Sequence, residues 1–276
     1  MIRAERVRAE RVRAPRIRAE RVRAVIFDLG HTLWDIEPAG IEVLDDAYAA
    51  AHARLRDRLG RDDIPPAADL RRAVTAALEA DAETYFTNGA VLEQPPTHHW
   101  TGRGFRSLGL DLDDTLLAEM TPVLFGTEID RLIVHEGTME ALHALHDAGL
   151  LLGCVTNTLA DAGTIQTMLR NHGVLDIMRS VVVSSDEGYR KPHPSLFEKA
   201  MREIGVAPRE SLFVGDSPYH DVAGAKALGM RAVLTRQYAT RPPVEGAPAP
   251  DATITHLRDL AEIIADWGED DPLRDR

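Results

Sequence analysis

A single cysteine, Cys154, stands among 276 residues, which excludes an internal disulfide and points to a reducing compartment. Apolar runs such as Leu150–Val155 are far too short to span a bilayer, so no membrane partner is expected. The first residues lack the apolar core of a secretory leader, and the cytoplasm is the expected location. Lysine is nearly absent. Of 32 basic residues only Lys191, Lys199 and Lys226 are Lys, so a retained ammonium can mark chemistry that a guanidinium does not supply. Positive charge is scarce outside the N-terminus. The first 24 residues hold nine Arg and three Glu, so the rest carries −18 against a whole-chain −12. A body that acidic argues against nucleic acid as a partner.

Apolar residues make up 44% of the chain, enough to fill one large core or two modest ones. Residues 2–24 are a tandem repeat of period five: IRAE, RVRAE, RVRAP, RIRAE, RVRA. Each repeat advances a helix by about 140°, so no continuous apolar face forms. Residues 1–21 therefore read as a disordered Arg-rich tail. The last copy runs into Val25-Ile26-Phe27, which reads as a buried strand. Helices are then expected over Ile41–Leu59, Pro65–Phe86, Thr97–Leu108 and Asp113–Met120, with Gly60 capping the first and Pro122 just past the last.

From Gly137 the pattern alternates. Helices are expected over Thr138–Ala148, Leu159–His172, Pro194–Ile204, Asp221–Leu228 and Leu257–Trp267. Strands are expected over Leu150–Val155, Met178–Val183, Leu212–Val214, Arg231–Leu234 and Ala252–Thr255. Such alternation predicts an α/β fold, a doubly wound parallel sheet with both faces covered. Residues 22–35 and 131–267 form this core, 36–130 a helical insert, and 268–276 an acidic tail.

Four predicted strands end in polar groups: Asp28, Thr156-Asn157, Ser184–Asp186 and Asp216. In a parallel sheet these ends share one edge and converge on one crevice. Lys191 follows the third strand closely enough to reach in. The set suits phosphoryl transfer. A carboxylate attacks phosphorus, while hydroxyl, amide and ammonium groups hold the equatorial oxygens. The acidic pair Asp216 and Asp221 suits a hard cation such as Mg²⁺. Thr156 and Asp221 also stand where helix caps are expected.

These residues resemble the four motifs of the haloacid dehalogenase-like (HAD) hydrolase superfamily. The first reads Asp28-Leu29-Gly30-His31-Thr32, against the family's Asp-x-Asp-x-Thr or Val. The second is Thr156, and the third is Lys191 within Arg190-Lys191-Pro192-His193-Pro194. The fourth runs from Gly215-Asp216 to Asp221. The resemblance covers about residues 22–267. It implies a Rossmann-like core with an α-helical cap inserted after the first motif. It also implies a Mg²⁺-dependent phosphatase acting on a small phosphorylated metabolite through an aspartyl-phosphate. By resemblance, Asp28 is nucleophile and metal ligand, and the Gly30 carbonyl, Asp216 and Asp221 complete the metal site. Thr156 and Lys191 bind the phosphoryl group, with Asn157 nearby.

Gly30 departs from the family pattern, which places a general acid–base Asp there. That function is typically worth about 10²–10⁴-fold. One reading is a slow enzyme. His31 either substitutes for the missing acid, on the strength of its near-neutral titration, or faces the hinge of the cap. The other is a weak or inactive relative that binds Mg²⁺ and a phosphorylated ligand as a sensor or interaction module. The same glycine argues against a mutase, which needs the shuttle. No Lys precedes Lys191, which excludes a Schiff-base phosphonate hydrolase as usually built. The pair Asp216 and Asp221 argues against a metal-free dehalogenase. No sequence feature specifies an oligomeric state.

Some residues mislead. Asp111-Leu112-Asp113-Asp114-Thr115 matches the first motif better than residues 28–32 do, but it reads as a helix N-terminus with capping carboxylates. His98-His99-Trp100 lacks a third ligand nearby. Arg103 and Arg106 read as surface ion pairs, Cys154 as core, and His193 as a loop residue.

Overall fold

The computed structural model describes residues 22–36, 41–82, 84–85, 91–126 and 132–269. The Arg-rich repeat over residues 1–21 and the last part of the acidic tail lie outside the described residues.

The first strand, β1 (Ala24–Phe27), is buried along its whole length. Val25 and Phe27 enter the apolar cluster on one face, and Ala24 and Ile26 enter that on the other, as the two-residue period of a strand requires. A two-residue ribbon follows, in which β2 (Asp35–Ile36) pairs antiparallel with β3 (Leu132–Ile133). The remaining strands are β4 (Leu151–Thr156), β5 (Met178–Val183), β6 (Ser211–Gly215), β7 (Arg231–Thr235) and β8 (Ala252–Ile254). They join β1 in one parallel sheet of order β5-β4-β1-β6-β7-β8. The chain moves outward from β1 in one direction, then returns to its other side. This switch point is where open α/β sheets bind ligands.

The helical insert contains α1 (Ile41–Leu59), α2 (Ala67–Ala82), α3 (His98–Ser107) and α4 (Asp114–Phe125). It has its own apolar cluster, with Leu55, Leu70, Val74, Phe105, Leu117 and Met120 fully or almost fully buried. Gly104 lets α3 press onto α2, since a Cβ there would stand 2.7 Å from the Val74 nitrogen. The core helices are α5 (Thr138–Asp147), α6 (Ala162–Asn171), α7 (Ser184–Glu187), α8 (Pro194–Ile204), α9 (Gly224–Ala227) and α10 (Leu260–Glu269). Leu142 of α5, Leu169 of α6 and Leu260 of α10 cover one sheet face. Phe197 of α8 and Ala225 of α9 cover the other. Among the described residues no helix is long and apolar enough to cross a membrane.

Several boundaries differ from the sequence expectation. Helix α4 continues through Pro122 to Phe125. Pro122 forfeits one backbone bond, but Thr121 and Leu124 are buried on the same packed face and hold the helix together. Helix α6 begins at Ala162 rather than Leu159, because Asp161 caps it through a 2.8 Å bond from Thr164 N. Thr156 is therefore a strand residue and not a cap. The helix expected from Asp221 starts earlier, as a π-turn over Pro218–Ala223 capped by Ser217. Asp221 lies inside that turn rather than at its start, and reaches back to accept from Ser217 N. Helix α10 extends to Glu269, into the segment read as tail.

The sequence gives no hint of the tie at the base of the insert. Tyr238 Oη donates to Leu33 O and accepts from His135 N, both at 2.8 Å. These groups flank the ribbon on its outgoing and returning sides. Tyr238→Phe leaves both unpaired, and we expect a loss of about 1–2 kcal/mol. Thermal unfolding would register this as a Tm several degrees lower; an unchanged Tm would mean the tie carries no stability.

Candidate active site

Asp28 N donates to Val214 O at 2.8 Å, extending the β1–β6 ladder one residue past β1. Phe27 is in register with Cys154 on one side and Val214 on the other. The ends of β1, β4 and β6 thus deliver Asp28, Thr156 and Asp216 to one edge. All eight residues singled out from the sequence line one cavity of about 330 Å³: Asp28, Gly30, His31, Thr156, Asn157, Lys191, Asp216 and Asp221. The polar strand end at Ser184–Asp186 does not join them. Ser184 Oγ accepts from Thr158 N at 3.0 Å, and Asp186 accepts from Ala162 N at 3.1 Å. These side chains brace the loop after β4 instead.

Lys191 is 2% exposed. Its Nζ lies 2.5 Å from Asp28 Oδ1 and 2.8 Å from Asp221 Oδ1, the second at ion-pair distance but outside hydrogen-bond alignment. Asn157 clamps the Lys191 main chain: its Oδ1 accepts from Lys191 N at 2.8 Å and its Nδ2 donates to Lys191 O at 3.2 Å. Thr32 Oγ1 donates to Asp28 Oδ2 at 3.3 Å. Asp221 Oδ2 accepts from Ser217 N at 2.9 Å. Gly215 makes room for that carboxylate, since a Cβ at 215 would sit 2.3 Å from Asp221 Oδ2.

Burial pushes the Asp28 carboxyl up from 3.8 to about 7, against the pull of the Lys191 ammonium. Asp216 is raised by burial and by the neighbouring Asp221 charge. Burial opposes the charge on Lys191, but Asp221 and Asp28 together outweigh it and hold its pKa above the ordinary value. One oxygen each from Asp28, Asp216 and Asp221 lies within 4.8 Å of the others. Three buried carboxylates thus gather at one point, where Lys191 and Arg241 pair with them. The all-oxygen donor set fits a hard divalent cation.

His31 adopts a positive φ of 57°, the single non-glycine case among the described residues. Its Nδ1 stands 3.1 Å from Asp35 Oδ1 of β2, so it faces the base of the insert as well as the cavity. Arg190, His220 and Arg241 also line the cavity; the first two lie within the third and fourth motifs without being their defining residues, and Arg241, outside all four, pairs with Asp216 from the loop beyond β7. Away from the cavity, Asp113 caps α4 by accepting from Leu116 N at 2.8 Å. Arg103 pairs with Asp81, which also accepts from Trp100 Nε1 at 3.1 Å. His193 caps α8. Cys154 is buried in β4, and its thiol is pushed up to about 12 by burial.

The haloacid dehalogenase-like hydrolase family model matches residues 22–229. A glyceraldehyde 3-phosphate phosphatase of Methanopyrus kandleri is 29% identical over 213 residues, covering 72% of this chain and 90% of that protein. A phosphoglycolate phosphatase of Pseudomonas putida is 30% identical over 257 residues, covering 88% and 79%. Among solved structures, a HAD phosphatase from Thermococcus onnurineus is 27% identical with a TM-score of 0.57, covering 88% and 98%. A 2-haloacid dehalogenase from Pseudomonas syringae is 25% identical with a TM-score of 0.61, covering 89% and 99%. The sheet order, the motif residues on one cavity and a family match spanning most of the chain agree: this protein belongs to the haloacid dehalogenase-like hydrolases.

Proposed function

We propose that the protein is a Mg²⁺-dependent phosphatase of a small phosphorylated metabolite. The observation that carries this reading is the buried cluster in which Asp28 lies 2.5 Å from Lys191 Nζ beside Asp216 and Asp221. The phosphatase names of the relatives from Methanopyrus kandleri and Pseudomonas putida support it.

Asp28 attacks phosphorus, the ester oxygen leaves, and an aspartyl-phosphate forms on the carboxylate. Water then attacks the phosphorus, releasing inorganic phosphate and restoring Asp28. Lys191 and Thr156 hold the equatorial oxygens, and Asn157 fixes the Lys191 main chain. Asp28, Asp216, Asp221 and the Gly30 carbonyl would hold Mg²⁺, which when bound screens the charge between carboxylate and phosphate. The insert over residues 36–130 acts as a cap that limits water and selects substrate. Leu78 and Ala82 of α2 face Asn157 and Leu159 across a second crevice, where a leaving group could lie.

An aryl phosphate and a panel of phosphorylated metabolites test this reading. Turnover should need Mg²⁺, stop on chelation and return on adding the metal back. If no phosphomonoester turns over, but a phosphate mimic binds together with Mg²⁺, the sensor reading that Gly30 keeps open takes its place.

His31 lines the cavity next to Gly30 in the chain, yet its Nδ1 faces Asp35. We expect the pH–rate profiles of His31→Ala and wild type to superimpose. Loss of one limb in the variant would instead assign His31 the proton shuttle.

A further inference from the structure

Arg241 touches the acidic cluster from the loop beyond β7 and lines the cavity wall. Its Nε donates to Asp216 Oδ2, and its side chain is 45% exposed while that of Asp216 is 5% exposed. The other cation of the cluster, Lys191, is buried and held by two carboxylates. Its main chain is clamped by Asn157. Arg241 follows a short anchored stretch: Gln237 bonds Thr138 Oγ1 and Leu257 N, each at 2.8 Å, and Tyr238 bonds Leu33 O. Pro242 and Pro243 come directly after it. The backbone is thus fixed just before Arg241, while the guanidinium reaches out of solvent to cover a buried carboxylate.

We propose that Arg241 is a resident counter-ion of Asp216 that a divalent cation must displace, so that it sets the metal affinity of the site. This rests on the reading of Asp28, Asp216 and Asp221 as the Mg²⁺ site. Two features favour displacement over joint residence. The candidate oxygens lie within 4.8 Å of one another and Arg241 lines the same cavity, so a guanidinium and a divalent cation would repel at short range. Half-exposed Arg241 can also turn to water at far less cost than buried Lys191.

Calorimetric titration with MgCl₂ alone, with no substrate present, tests the proposal. Arg241→Gln should bind Mg²⁺ about tenfold more tightly than wild type, the worth of one charge-assisted hydrogen bond no longer broken on entry. Arg190→Gln removes the same charge from the same cavity wall and controls for the general field; its gain should be clearly smaller. Thermal unfolding gives a second readout. Arg241→Gln should lower the Tm of the metal-free protein and leave that of the Mg²⁺-saturated protein near wild type. A merely structural role would lower both equally. Arg241→Lys, which keeps a charge without the planar fork, should fall between and serves if the Gln variant does not fold. Equal or weaker binding by Arg241→Gln, with wild type binding Mg²⁺ normally, overturns the proposal alone. Absence of Mg²⁺ binding in every variant would overturn the metal reading beneath it.

Discussion

Asp28→Asn should abolish turnover, lowering kcat by about 10⁴-fold or more, as expected when a covalent nucleophile loses its charge. The variant keeps the shape of the side chain and should fold. Its stability should even rise in the metal-free protein. Burial holds the Asp28 carboxyl near 7 in the fold against 3.8 for the free side chain, so the folded state prefers the protonated form. The penalty for ionised Asp28 is absent below about pH 4, grows as pH rises and levels off above about pH 7. A neutral isostere escapes it, so the Tm gain of Asp28→Asn should grow over that interval. Full activity in the variant, or a Tm gain confined to acid pH, would contradict this picture of the site. Opposite effects on rate and stability are what a charge buried for chemistry should give.

The second large effect is a gain. No atom lies within 4 Å of where a Cβ at Gly30 would stand, and the φ of Gly30 is not in the left-handed region. A side chain can therefore start there without its Cβ meeting a neighbour. Gly30→Asp should raise kcat by about 10²–10⁴-fold for an alkyl phosphate, whose departing alkoxide needs a proton. An aryl phosphate leaves as a stable phenolate and needs none. For that substrate the gain should fall mainly on the second step, where water must lose a proton. An unchanged kcat on alkyl phosphates would mean that another group already moves the proton.

Much of this site is legible in the sequence because strand ends in a parallel sheet must meet. Asp28, Thr156 and Asp216 each follow a short apolar run, and the order of those runs brings them to one edge. The same logic fails for Ser184–Asp186. That strand is the sheet's outermost on its side, next to β4 alone, and its end turns into α7 to brace a loop. Arg241 and Tyr238 are illegible for a different reason. Each acts through side-chain contacts across the fold, Arg241 at 25 residues from Asp216 and Tyr238 at 205 from Leu33 and 103 from His135, and no periodicity marks such contacts. Helix α4 shows the limit of punctuation by proline. Pro122 reads as a stop, but the buried Leu124 beyond it carries the helix on. The π-turn at Pro218–Ala223 is a matter of backbone geometry; it carries Asp221 inward from a position that sequence alone marks as a cap.

In the proposed mechanism Asp28 takes the phosphoryl group while Gly30 withholds the proton transfer that would clear it. Rapid mixing with an aryl phosphate and Mg²⁺ tests both halves together. Phosphorylation needs no acid with this substrate, whereas hydrolysis of the acyl phosphate does need a base. A burst of phenolate approaching one equivalent per site is expected, followed by slow turnover. Borohydride quenching during that phase should reduce the acyl phosphate and leave homoserine at position 28, seen by peptide mass spectrometry. Gly30→Asp should shrink the burst and empty the trapped species. Linear phenolate release from the first turnover, with Asp28 unmodified after the quench, would contradict the account.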